Sequence, residues 1–453
     1  MITKSDYIKY LQCKKALWLK KNRSELMVGV GDNTQRVFDT GFLVERIAYE
    51  MFPSGVETAE DIGESIKETK ELLKQKTPVI FQATVSGHDL FCRSDIAIYD
   101  SEGDVWDIVE VKSSSHVKDV HIDDLAFQKV CFEKNGYKVG KLSVIHVNNE
   151  YVKDGDIVAQ EFLTRTDVTE EVEEKLEYTK THIQNALKLS KAEKEPEVRI
   201  LRQCSEPYNC PFIDYCWKDF SQYSIYAIGG ALGEKNIEKL LDMGIEKVAD
   251  IPEGFLSGEK LVSYYNALKN DEVHIDKENI QKELSQIEYP IYYLDYETYS
   301  PTIPLLDGYR PFQRIVFQYS LHIQESPNAE LKHYEFLARD LKDPTTELAK
   351  SLQEQIGDTG VIIAWNIGFE KGCNNEMGQR EPEFKEFFEN INERMYDLMN
   401  VFKKRYYVHK DFATSASIKK VLPVIVPELD YGILDISEGM TASNNWGDMV
   451  TKD

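Results

Sequence analysis

Two carboxylates and one ammonium sit in this chain at a spacing suited to metal-assisted chemistry on phosphodiesters. Asp95 precedes Glu110-Val111-Lys112 in the run CRSDIAIYDSEGDVWDIVEVKSSS, where two apolar-rich strands flank an acidic, glycine-containing turn over 101–104. Side chains alternate along a strand, so Glu110 and Lys112 share a face and Val111 points into a core. Asp95 comes alongside from the preceding strand. Carboxylates of this kind hold Mg²⁺ or Mn²⁺, the ion activates a water, and the lysine orients it or offsets charge developing on the phosphate. The plain alternative is a solvated hairpin.

A second carboxylate set lies in YPIYYLDYETYSPTIPLLDGYRPFQRIVFQYSLHI. Asp295 and Glu297 are two apart on an apolar strand and share a face. RIVFQYSLHI reads as an antiparallel second strand. VIIAWNIGFEKGCNNEM reads as a buried third strand running into a helix that delivers Asn366 and Glu370, and RMYDLMNVF supplies Asp397.

Seven cysteines are present: Cys13, Cys92, Cys131, Cys204, Cys210, Cys216 and Cys373. An odd count without a dense framework argues against a secreted disulfide protein. Cys204, Cys210 and Cys216 are evenly spaced in LRQCSEPYNCPFIDYCW, while Cys13 stands far away in YLQCKKALWL. Four thiolates suit an iron–sulfur cluster or a closed tetrahedral zinc site, and ordinary reduced cysteines in a loop are the third reading. Cys92 and Cys131 read as small buried hydrophobes.

These groups need elements to hold them. FDTGFLVERIAYEMF reads as an amphipathic helix with Val37, Gly41, Val44 and Ala48 on one side and Glu45 beside that stripe, placed to join the metal site. Strands follow near 79–85, 90–99 and 105–112. The helix DDLAFQKVCFEKNGY then carries Gln128 and Phe132 four apart, on one face. A strand near 141–148 and a long polar helix lead to the cysteine loop. Beyond it, YAIGGALGEKNIEKLLDMGIEKVADIP reads as two short helices joined around Gly244, half of a helix-hairpin-helix, in which turn amides meet phosphate. A small helical linker is the blander reading.

The order helix with Glu45, strand with Asp95, strand with Glu110-x-Lys112, helix with Gln128 resembles the RecB-like branch of the PD-(D/E)XK nucleases over residues 1–220. That resemblance implies metal ligation by Glu45, Asp95, Glu110 and the Val111 carbonyl, a catalytic Lys112 and a supporting Gln128. One distant cysteine plus a C-terminal triplet resembles the iron–sulfur members of that branch, the AddB-like and CRISPR-associated nucleases. It implies that Cys13, Cys204, Cys210 and Cys216 hold a structural 4Fe–4S cluster. Asp295-x-Glu297, Asn366 to Glu370 and Asp397 resemble the DEDD exonucleases of the ribonuclease H-like fold. There Asp295, Glu297 and Glu370 would bind two divalent ions, while Asp397 matches a position that is usually structural. SIKKVLP resembles an uncharacterised bacterial family joining the same two domains.

The expected architecture is therefore α/β throughout. A PD-(D/E)XK restriction-endonuclease-like domain spans 1–220, a helical linker 221–288, and a ribonuclease H-like domain 289–453. The sequence shows no closing helix with the last DEDD carboxylate: either the chain is truncated or its second centre lacks one ligand. The first centre is accordingly expected to carry the activity.

At 453 residues, two or three domains are expected. No apolar run approaches a membrane span and no targeting segment begins the chain, so a cytoplasmic location is expected. A net charge of −24 argues against nonspecific coating of DNA, although KKALWLKKNR and FKKRYY are local basic patches. The function expected is metal-dependent hydrolysis of nucleic acid, DNA favoured over RNA. A nucleic-acid-binding or regulatory protein on nuclease folds, and RNA processing by the second centre, are the alternatives.

Overall fold

The computed structural model describes residues 1–29, 31–429 and 439–451. It is mixed α/β and divides into two units. The first is Met1–Lys218 with Pro301–Phe312, and the second is Asp219–Ser300 with Gln313–Asp453.

In the first unit, β1 (Ile2–Thr3) runs straight into α1 (Lys4–Gln12). Thr3 caps α1: its hydroxyl accepts the Asp6 N–H at 3.1 Å, and the Asp6 carboxylate accepts the Thr3 N–H at 3.0 Å. α2 (Lys14–Asn22) follows after Cys13 alone, then α3 (Asp32–Tyr49), β2 (Val56–Glu57) and α4 (Ile62–Gln75). A meander of β3 (Val79–Gly87), β4 (Leu90–Asp100) and β5 (Val105–Lys112) comes next. α5 (Asp119–Lys134) then crosses to β6 (Val139–Val147), which lies parallel to β5. α6 (Ala159–Phe162), β7 (Leu163–Asp167), α7 (Thr169–Ser190) and α8 (Ile213–Trp217) complete the unit. The sheet order is β2-β3-β4-β5-β6-β7, with β1 on β4.

Both faces of this sheet are covered. Trp106 and Ile108 of β5 pack into one core with Leu125 and Phe132 of α5. Val109 and Val111 pack into the other with Val44 and Ala48 of α3. The expected stripe on α3 is thus half right. Val44 and Ala48 are buried, but Val37 is 62% exposed, because only the C-terminal half of the helix reaches the sheet.

In the second unit, α9 (Gly229–Leu232), α10 (Glu234–Asp242), α11 (Glu259–Asn270), β8 (His274–Ile275) and α12 (Lys277–Leu284) precede a second sheet. The helix expected directly after Gly244 is only a 3₁₀ turn, Val248–Asp250. The sheet contains β9 (Ile291–Tyr299), β10 (Ile315–Gln324) and β11 (Lys332–Leu337). α13 (Thr345–Gln355), β12 (Val361–Ala364), α14 (Gly368–Arg380), α15 (Lys385–Arg394) and β13 (Met395–Asp397) follow. Its order is β11-β10-β9-β12-β13; β10 is antiparallel to β9 and β11, while β12 is parallel to β9 and β13. α16 (Asn400–Lys403), β14 (Tyr407–Val408), α17 (Ile418–Ile425) and α18 (Gly439–Thr451) end it.

The 221–288 segment is built into the second unit rather than standing apart. β8 pairs with β14, and the Asp276 N–H donates to the Tyr406 carbonyl at 2.7 Å. Loop 301–312 leaves β9 and joins the first unit, where the Lys153 ammonium lies 2.5 Å from Asp307. A helix does follow where none was expected: α18 packs along β9. Residues 430–438, part of the tail in which no such helix was expected, lie outside the described residues. Among the described residues no helix is long and apolar enough to cross a membrane.

Candidate active site

β3 and β4 keep one register throughout, but the facing of their side chains inverts at one place. Between Phe81↔Ile96 and Ala83↔Ser94 stands Gln82, at a positive φ of 55°. Ile80 and Ala97 on one side of it share a face with Ala83 and Cys92 on the other, although each pair is an odd number of residues apart. The inversion falls on Gln82 and on Asp95 across from it.

The ladder between β4 and β5 stops at Ile96↔Val109, so Asp95 is the next residue opposite Glu110. In place of the missing ladder bond, Asp95 Oδ2 accepts the Val111 N–H at 2.7 Å. Glu110 and Lys112 share a face as expected, with Val111 buried on the other. The Lys112 ammonium sits 2.7 Å from Glu110 Oε1 and 3.0 Å from Asp124 Oδ2. The Gln128 amide donates to Glu110 Oε2 at 2.6 Å, and the Ser94 hydroxyl donates to Gln128 Oε1. Gln128 thus holds the second oxygen of Glu110.

A second ammonium was not foreseen. Lys4 Nζ lies 2.6 Å from the same Glu110 Oε1. Lys4 opens α1, where a cation meets the positive end of the helix dipole. That local mismatch, with Asp124 four residues before Gln128 on α5, is the signal the sequence offered for both residues.

Charge balance follows from this crowding. Burial would raise Glu110, but Lys112 and Lys4 hold it down at about 2. Asp95 is pushed up to about 8, by burial first and then by the Glu110 charge. Glu45 is raised by burial, and Glu110 adds to the shift; its carboxylate accepts hydrogen bonds from Tyr49 and Gln82. Asp95 and Glu110 thus converge, and Glu45 lies within charge range of both while turned toward its own partners.

The four cysteines singled out in the sequence come near one another. Cys13, Cys204, Cys210 and Cys216 all lie within charge-interaction range of one another, and all are free thiols. Burial raises the thiols of Cys13, Cys204 and Cys216, the last to about 11. Cys13 and Cys216 pack against a small core containing Cys210, Trp18 and Phe212. The Gln12 amide ties α1 to the cysteine loop through the carbonyls of Gln203 (2.8 Å) and Tyr208 (2.5 Å). The Tyr208 ring, between Cys204 and Cys210, is within charge range of Lys112, Glu110 and Lys4. Cys92 and Cys131 are buried in the main core, as expected.

In the second unit, Asp295 and Glu297 share a face of β9, opposite buried Leu294 and Tyr296. Glu370 enters from the first turn of α14 and is 4% exposed; its Oε2 has no hydrogen-bond partner. Burial pushes it up to about 7, and Asp295 and Asp397 add to the shift. Asp397 accepts the N–H groups of Asn366 (2.9 Å) and Met399 (3.1 Å), and Lys403 lies 3.2 Å away. Asn366 adopts a φ of +69°, which turns the chain from β12 into α14. α18 brings Gly439 against Glu297, where an added Cβ would lie 3.3 Å from Oε2.

Both carboxylate sets offer hard oxygen donors suited to Mg²⁺ or Mn²⁺, and the thiols are soft donors suited to iron–sulfur or zinc. As arranged, no group of three or more His, Cys, Asp or Glu among the described residues is positioned to hold a metal ion. In the first centre the reason is visible: two ammonium groups occupy Glu110, and Glu45 faces Tyr49 and Gln82.

Residues 292–417 match a family described as "Domain of unknown function (DUF2779)". The chain is 24% identical over 260 residues to "Uncharacterized protein MG366" of Mycoplasma genitalium, covering 54% of this chain and 36% of that protein. It is 29% identical over 157 residues to "Uncharacterized protein MG366 homolog" of Mycoplasma pneumoniae, covering 32% of this chain and 23% of that protein. The chain thus spans about a third or less of the length of these curated relatives.

Proposed function

We propose that the chain is a metal-dependent nuclease whose first unit hydrolyses phosphodiester bonds, with DNA the favoured substrate. The observation that carries this reading is the Glu110 cluster. Two lysines, one glutamine and a facing aspartate converge on a carboxylate that is 1% exposed. A fold that needed only stability gains little from burying so many charges. The element order, with Asp95 on β4 where its ladder with β5 ends, Glu110-x-Lys112 on the next strand and Gln128 on the crossover helix, supports a PD-(D/E)XK architecture. Mg²⁺ or Mn²⁺, held by Asp95, Glu110 and Glu45 with the Val111 carbonyl, would supply Lewis acidity and an activated water. Lys112 then orients the attacking water or offsets charge on the phosphate. The four gathered thiols support a structural 4Fe–4S cluster, or structural zinc, bracing α1 against the cysteine loop.

The second unit supports a companion reading as a DEDD-type centre in a ribonuclease H-like fold. In order of appearance its strands are arranged 3-2-1-4-5, Glu370 is buried with an unpartnered oxygen, and α18 closes over β9. Incubation of anaerobically purified protein with end-labelled single- and double-stranded DNA and RNA tests both centres. Mg²⁺, Mn²⁺ and EDTA arms, with K112A and E370Q variants, separate them. No cleavage under any metal condition would overturn the nuclease reading in favour of a binding or regulatory role.

A further inference from the structure

A cavity of about 120 Å³ lies within the second unit, between α11 of the helical segment and residues 402–416. Lys260, Lys403 and Arg405 line it, and no Asp or Glu does, in a chain whose net charge is −24. Two of its cations are tied to carboxylates just outside: Lys403 to Asp397 at 3.2 Å and Arg405 to Glu259 at 2.5 Å. Lys260 is exposed at the rim, with no ion-pair partner among the described residues. Phe402 and Tyr407 add aromatic wall, and Trp365 stacks on Phe402 from behind with centroids 5.4 Å apart.

Two orphan donors mark it as a binding site. Tyr264 lines the cavity and is 2% exposed, yet its hydroxyl has no hydrogen-bond partner. The buried Nε of Arg405, also a lining residue, has none either. Asp411, within charge range of Tyr264, is already engaged by the Tyr223 hydroxyl at 2.8 Å. Buried donors in native proteins are nearly always satisfied, so two in one cavity point to an absent acceptor. Cations with free N–H and O–H donors suit a phosphate, and aromatic wall suits a nucleobase. The free space is that of roughly one ring-sized group, judged against cavities that hold benzene, so it takes one end of a nucleotide while the rest lies outside at the exposed Lys260 rim.

We infer that this pocket binds a nucleoside monophosphate, either free or as the phosphorylated end of a strand. The 221–288 segment then has a binding role: it supplies the Lys260 and Tyr264 wall. The inference goes beyond the hydrolytic reading and does not depend on it, because its test excludes turnover.

The 453-residue chain is titrated calorimetrically in EDTA with dAMP, deoxyadenosine and inorganic phosphate. Binding of dAMP with a dissociation constant below about 1 mM is expected, with deoxyadenosine at least about tenfold weaker. Y264F removes only a hydroxyl and should weaken dAMP about fivefold, the loss of one hydrogen bond. K260E, at an exposed position, should weaken it about tenfold and flatten its salt dependence. On the unsubstituted chain, dAMP should protect Lys260 from acetylation as read by mass spectrometry. A short single strand with a 5′-phosphate that displaces dAMP identifies the strand end as the source, and failure to displace identifies the free nucleotide; either result upholds the pocket. Absence of dAMP binding at about 10 mM, or affinity and Lys260 reactivity unchanged by the variants and the ligand, overturns the inference whether or not the chain cleaves DNA.

Discussion

Lys4 and Lys112 place their ammonium groups on the same oxygen of Glu110, at 2.6 and 2.7 Å, although Lys4 lies 106 residues from Glu110 in the sequence. Lys112 is two residues from Glu110 on β5; Lys4 arrives from the first turn of α1, anchored because β1 pairs with β4. The helix that begins with Lys4 ends at Cys13. One short element thus connects the carboxylate centre with the gathered thiols.

K112A is expected to abolish Mg²⁺- or Mn²⁺-dependent cleavage while the protein stays folded, since Lys4 still neutralises Glu110. K4A should lower cleavage less, by about ten- to a hundredfold, the range for a positioning defect at a charged site. Removing one partner of a buried pair costs about 3–5 kcal/mol, and the remaining Lys112 should hold the K4A loss below that range in urea unfolding. A pH–rate profile separates a positioning role for Lys4 from a merely structural one: K4A should move it, because Lys4 helps depress Glu110. Full activity in K112A sinks the assignment of the first centre.

Asp6 gives a pH signature for the same region. It is 1% exposed and paired with Lys20 and Lys21 of α2 at 2.7 and 2.5 Å. Burial alone would raise it, but the two lysines and the Thr3 N–H bring it down to about 2. An acid depressed on folding stabilises the native state above its unfolded pKa, and that stability fades as pH falls through the folded value. The window is therefore from roughly pH 4 down to about 2. Denaturant midpoints should fall through this window in the wild type and fall less in D6N, which should already be less stable at neutral pH. Parallel curves for the two proteins refute the coupling of α1 to α2 through Asp6.

Protein prepared without oxygen is expected to be brown, with broad absorption near about 400 nm, as thiolate-ligated iron–sulfur centres show. C13A and C210A should lose colour and solubility together, because their sulfurs come from segments remote in sequence. C92A and C131A, in the main core, should keep the colour. Colourless protein with one zinc per chain favours the tetrahedral alternative.

Much of the first centre was legible because period-two alternation fixes which side chains share a face. Glu110, Lys112 and buried Val111 fell where that rule puts them. Lys4 was hidden because its contact spans 106 residues and depends on β1 pairing with β4, which no local pattern encodes. The inward turn of Asp95 rests on the irregularity at Gln82, a non-glycine residue at positive φ that composition does not announce. The independent linker failed for a related reason: its boundaries looked polar and helical, but β8 is a two-residue strand whose partner lies beyond residue 400. The closing helix was missed because GMTASNNWGDMVT has weak helix formers. Tertiary contact supplies what propensity lacks there: Trp446 stacks on Phe317 with centroids 4.8 Å apart and donates to the Ala338 carbonyl at 2.7 Å.

That helix changes what is expected of Glu370. The second centre was expected to lack one ligand and to matter less than the first, whereas α18 packs on β9 with Gly439 beside Glu297. Glu370 is pushed up to about 7 by burial, so its ionisation costs stability as pH rises from roughly 4.3 through that value. E370Q should therefore remove a decline in thermal midpoint between those limits in EDTA, and be more stable than wild type above them by roughly 1 kcal/mol. Mn²⁺ should reverse the order, because an ion that binds only the native carboxylate set stabilises by mass action. The wild-type midpoint should rise with Mn²⁺, the E370Q midpoint should rise much less, and strand-end trimming should fall with it. Equal stabilisation of both proteins by Mn²⁺ would leave Glu370 a buried acid with no cation to bind, and the second unit a fold without a second centre.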